Sequence, residues 1–167
     1  EGLIDQARSQ LWRVVNEFMT ASKNAKSPHF ELALYEYGND SIHPRAGYIR
    51  KIQPFTTDLD SVSESLFSLT TNGGSEHCGQ VIATAIEELT WSPRKDALKL
   101  IFIAGNEAFS QGPISVSDAI AKAQTQGVVV NTVHCGDSEV GVNQGWQQAA
   151  QASGGKFLTI NHNQAIA

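Results

Sequence analysis

Three stretches of the chain put chemically able residues at loop positions. KLIFIAGNEAFSQG (99–112) runs the apolar residues Leu100 to Ala104 straight into Gly105, Asn106 and Glu107. Such a run reads as a strand buried on both faces. The polar triplet then falls just past its carboxyl end, where open α/β sheets bind ligands. TNGGSEHCG (71–79) sets Ser75, Glu76, His77 and Cys78 behind a glycine pair, and VNTVHCG (130–136) ends in His134, Cys135 and Gly136. The two Cys–His neighbours leave several chemistries open. A thiol in the first turn of a helix has a lowered pKa and can pair with an imidazole as a nucleophile. Two Cys and two His can also hold zinc. Adjacent residues of a strand point to opposite faces, however, so His134 and Cys135 are poorly placed to serve one metal. Two buried free thiols, or a disulfide between Cys78 and Cys135, are the simpler alternatives.

Whole-chain properties narrow the classes. The 167 residues suit one domain, and 41% hydrophobic with 17% charged residues is ordinary globular composition. The formal net charge of −5, without a long Lys/Arg run, lacks the electrostatic footprint of nucleic-acid binding. No apolar stretch approaches the roughly 18 residues of a membrane span. Common enzyme signatures are missing: no G-x-G-x-x-G after a strand, no phosphate loop with its Lys, no G-x-S-x-G elbow. A non-enzymatic chain is therefore expected. It begins at Glu1 without a Met, so a processed or trimmed product is also expected.

The elements that would position these residues follow from periodicity. Ile4, Ala7, Leu11, Val14, Val15 and Phe18 predict a helix over 3–22. Strands are predicted at 29–38 and 47–55, the latter an edge strand by its Arg50, Lys51 and Pro54. The loop between them, with His43 and Arg45, reads as a solvated hairpin tip. Thr57 or Asp58 caps a helix with Leu59, Val62, Leu66 and Leu69 on one face, and Ser75 caps a helix over 76–89. Strand 98–104, helix 115–126 (capped by Ser115 or Ser117, closed by Gly127), strand 127–136, helix 141–152 and strand 156–160 complete the pattern. Strands alternating with helices predict a Rossmann-like, doubly wound α/β fold. Its sheet is mostly parallel, with one antiparallel edge strand and helices on both faces. Strand 98–104 is expected in the interior beside 127–135. Trp12, Trp91 and Trp146 read as packing residues.

Several segments, in order, resemble a bacterial-type von Willebrand factor type A (VWA) domain. GLIDQARSQLWRVVNEF is similar to the family's first helix, and TNGGSEHCGQVIATAI to its glycine-rich turn and following helix. LKLIFIAGNEAF is similar to the central strand that ends in T-D-G, and QGVVVNTVHCG with QAAQASGGKFLTI to the closing elements. The resemblance covers nearly the whole chain and implies a single domain over 1–167. It implies a binding module for protein or peptide ligands at a MIDAS-like site holding Mg, Mn or Ca. The family's first strand and its D-x-S-x-S loop have no counterpart in the sequence, which implies that residues precede Glu1. It also implies a place for that strand between 29–38 and 98–104.

The implied metal site is degenerate. Ser75 stands where the family has Thr, Gly105 or Asn106 where it has Asp, and Glu107 is the nearby carboxylate. Hard cations take oxygen donors, so Ser75, Asn106 and Glu107 are the candidate ligands. Gly105, Glu76 and Gly136 would complete the ligand-binding edge. Ser75 as a plain helix cap, and Asn106 and Glu107 as a plain solvated loop, stay open. So does a scaffold domain with no functional metal site. Weak or absent Mg²⁺ binding is expected from these residues alone, and an extracytoplasmic setting, periplasmic or secreted, is favoured.

Overall fold

Helical spacing of apolar residues builds α1 (Gly2–Lys23) in the computed structural model, which describes residues 2–23 and 29–161. The first three positions of the expected strand 29–38 stay outside it: β1 spans Leu32–Tyr37 and pairs antiparallel with β2 (Ile49–Thr56). Asp58 caps α2 (Leu59–Ser68) by accepting the Ser61 N–H at 3.1 Å. α3 (Cys78–Glu88) begins later than expected. Ser75 does not cap it; His77 stands at the cap position without a side-chain capping bond. The reason is local: the Cys78 N–H bonds the Glu76 carbonyl in a tight turn, and 69–77 remains irregular.

The second half alternates as expected: β3 (Leu100–Gly105), α4 (Val116–Thr125), β4 (Val129–Cys135) and β5 (Phe157–Ile160). Ser115 caps α4 by accepting the Asp118 N–H at 3.1 Å, and Gly127 ends it with φ +68°. The expected single helix 141–152 is two. Asp137 caps α5 (Ser138–Asn143) by accepting the Glu139 and Val140 N–H groups. Gly145, at φ +91°, then turns the chain into α6 (Trp146–Ala152). That left-handed conformation breaks a helix and costs least at glycine.

The strands form two sheets, β1–β2 antiparallel and β3–β4–β5 parallel. This is the α/β architecture with parallel strands and an antiparallel pair. β3 is not interior, a correction to the expectation: β4 holds the centre, and among the described residues no strand pairs with the other side of β3. Leu100, Ile101 and Phe102 are accordingly only half-buried, whereas β4 is buried from Val130 to Cys135. β1 and β3 do not pair directly; the Tyr37 hydroxyl spans the interval and donates to the Ala104 carbonyl at 2.7 Å.

Strand alternation distributes β3 to two faces. Ile101 and Ile103 join the core built with Val81, Ile82 and Ile86 of α3, Ile120 of α4 and Trp146 of α6. Phe102 meets the α1 ring of Phe18 edge-on at 6.3 Å. Trp146 is fully buried. Trp91 is half-buried, edge-on to Phe55 at 5.0 Å, and bonds the Ala85 carbonyl at 3.1 Å; Trp12 is half-buried. No helix among the described residues is long and apolar enough to cross a membrane.

Candidate functional site at the carboxyl edge

The carboxyl ends of β1, β3 and β4 lie on one edge. The loop after β1 is less solvated than a hairpin tip: Asn39 is buried and donates to the buried Glu36 at 2.6 Å, and Arg50 donates to the other Glu36 oxygen at 2.6 Å. A buried carboxylate needs such donors. They anchor the loop that carries Asp40 toward Gly74; His43 and Arg45 stay exposed. Asp40, Ser75, His77, Glu107 and Gln111 line an open polar cleft of about 540 Å³. Of the sequence candidates, Ser75, His77 and Glu107 reach this cleft. Asp40 and Gln111 were missed. The polar GND turn past a strand's carboxyl end was the signal for Asp40; Gln111, four residues past Glu107, had none.

Glu76 and Asn106 meet beside the cleft. Glu76 Oε2 accepts the N–H groups of Asn106 and Glu107, each at 3.1 Å. Burial raises the Glu76 carboxyl above its usual range, the two N–H groups oppose this, and the nearby Glu107 charge adds to it. Gln111 accepts the Glu76 N–H at 3.1 Å and donates to Glu107 Oε2 at 2.7 Å. Trp146 Nε1 donates to the Glu107 carbonyl at 2.8 Å. Gly105 lies beneath. Gly136 is not drawn into the cleft; it bonds the Ile160 carbonyl at 2.7 Å beside β5.

The Cys–His constellation does not assemble. Cys78 and Cys135 are free, buried thiols, which corrects the disulfide alternative: Cys78 Sγ is turned to the Tyr37 hydroxyl at 3.7 Å. Burial pushes the Cys78 thiol up to about 12 and the Cys135 thiol to about 11. That is the reverse of an activated nucleophile. Tyr37 is likewise raised, by burial first and then by Cys78 and Glu76. His77 turns to Gln80 at 3.1 Å. His134 is buried between Gly141 and Trp146, with Nε2 on Gln144 at 3.1 Å and Nδ1 unpartnered. Burial lowers its pKa.

The candidate oxygen donors Ser75, Asn106 and Glu107 bring a single carboxylate between them. Among the described residues no three His, Cys, Asp or Glu side chains stand close enough together to hold a divalent metal. Glu107 Oε2 accepts from Gln111, and the Asn106 N–H donates to Glu76. No zinc site forms at His77, Cys78, His134 and Cys135 for the same reason.

No protein-family model matches the chain, and no curated protein does. Solved structures do. An aerotolerance-related membrane protein from Bacteroides fragilis superposes with a TM-score of 0.65 at 13% identity, over 95% of this chain and 81% of that one. Proximal thread matrix protein 1 from the mussel byssus, solved with a zinc-occupied MIDAS motif, gives 0.65 at 14%, over 95% of this chain and 39% of its own. The chain thus spans about two fifths of the byssus protein. These likenesses define the fold as VWA-like.

Proposed function

We propose that the chain is a non-enzymatic binding module that takes a protein or peptide ligand at its carboxyl edge. The observation that carries this reading is the polar cleft between the loops after β1 and β3, with the Asp40 and Glu107 carboxylates, the Ser75 hydroxyl and the His77 ring on its walls. These groups offer hydrogen bonds at fixed positions on a rigid α/β frame, as binding loops do. A ligand that needs Mg, Mn or Ca is the weaker version, because among the described residues no three His, Cys, Asp or Glu side chains cluster. An extracytoplasmic setting, periplasmic or secreted, belongs to the proposal; the membrane and byssus proteins of like fold support it.

The test is selection of displayed peptides on the wild-type chain, followed by titration against Asp40→Ala, Ser75→Ala and Glu107→Ala. Selected peptides should lose about tenfold in affinity with each removed charged contact. Peptides that bind all variants equally, or no enrichment over a blank surface, would favour the scaffold reading instead.

A further inference from the structure

Gly105 ends β3 without a side chain, and the space a side chain would enter is taken. A Cβ there would stand 2.5 Å from Glu76 Oε2, 2.6 Å from the Tyr37 hydroxyl and 2.8 Å from Trp146 Cη2. A residue with a carboxylate at 105 would therefore have to displace Glu76. Glu76 Oε2 meanwhile fills the acceptor role for two backbone N–H groups, those of Asn106 and Glu107. The side chain of Gln111 closes a ring through the Glu76 N–H and Glu107 Oε2, and Trp146 holds the Glu107 carbonyl. Leaving those two N–H groups without an acceptor would be costly where water is partly excluded.

We infer that Glu76 organises the carboxyl edge in place of a divalent metal, as an internal acceptor seated on the Asn106 and Glu107 amides. Glu76 is thus a positioning residue, and its product is a Glu107 carboxylate held toward the cleft. Only that functional consequence rests on the binding reading above; the clasp itself is tested without any peptide. The role requires an acceptor, not a charge. A Gln at 76 keeps the carbonyl oxygen and relieves the repulsion from Glu107. A metal ligand would behave in the opposite way, since a neutral amide is a far poorer partner for Mg²⁺, Mn²⁺ or Ca²⁺.

Amide exchange at Asn106 and Glu107, read by NMR together with thermal unfolding, separates the two. Wild type, Glu76→Gln and Glu76→Ala are each measured with EDTA and with Mg²⁺, Mn²⁺ or Ca²⁺. The expected result is unchanged protection in Glu76→Gln, protection lower by about tenfold or more in Glu76→Ala, and no response to metal in any of them. Saturable, EDTA-reversible protection of the wild type by a metal, lost in Glu76→Gln, would overturn the inference. Unchanged protection in Glu76→Ala would do so equally. Should Glu76→Ala fail to fold, Glu76→Met replaces it: it keeps the length of the side chain without an oxygen acceptor, and the same loss is expected, with retained protection counting against the clasp. None of these readouts depends on whether a peptide binds, so a failed selection leaves them intact.

Discussion

His134 carries a pH liability that follows from burial. Its pKa in the folded chain is lowered from 6.5, first by burial, with Gln144 and then Asp137 opposing. The unfolded chain takes up the proton first. Stability that is present above the unfolded pKa is therefore lost as pH falls toward the folded pKa. Urea midpoints measured from about pH 7 down to about pH 5 should fall in the wild type and fall less in His134→Gln. Glu76 acts with the opposite sign. Its carboxyl is raised above 4.5, so its contribution is largest in acid and declines as pH rises through the folded pKa. Glu76→Gln should therefore be at least as stable as the wild type at neutral pH, checked by the same midpoints. The thiols give a third expectation at this scale. Both are buried and raised, so a thiol-specific reagent should leave Cys78 and Cys135 unmodified in the native chain and modify both after unfolding.

At the scale of elements, the join between α5 and α6 decides whether Trp146 reaches the edge. Gly145 takes φ +91°, and a Cβ there would lie 3.7 Å from Phe109 Cβ, an ordinary contact. The penalty for Gly145→Ala is thus backbone strain alone, about 1–2 kcal/mol. Asp137→Ala removes the acceptor for the first N–H groups of α5 and should cost about 1 kcal/mol. Thermal unfolding checks both. Gly145→Ala should also loosen the Trp146 bond to Glu107, visible as a shift of the Trp146 indole N–H resonance, whereas Asp137→Ala should leave that resonance near its wild-type position.

Across the whole molecule, burial is uneven. β4 lies between two strands and is packed against α1, α4, α5 and α6. Among the described residues β3 has one strand neighbour, and of the described α1 side chains only Ala7 is buried. Local opening free energies should follow that order. Hydrogen exchange is expected to be slowest in β4, faster in β3 and fastest in α1, well before global unfolding. Equal protection of α1 and β4 would contradict this ranking.

Periodicity, caps and strand ends are properties of neighbouring residues, so the sequence alone determined the element order apart from the α5–α6 split, the α/β class and the edge that Ser75 and Glu107 share, and it narrowed two caps to Thr57 or Asp58 and Ser115 or Ser117. The run Leu100 to Ala104 announced a buried strand, but hydropathy cannot say which strand is its neighbour; only the tertiary structure set β4 at the centre and β3 at its side. The helix break at Gly145 was visible as a glycine yet ambiguous, because a lone glycine also occurs inside helices. Asp40, Glu76 and Gln111 are far apart in sequence, and their meeting depends on three loops converging. For the same reason the missing carboxylate at Gly105 was legible in the sequence, but the Glu76 oxygen beside it was not.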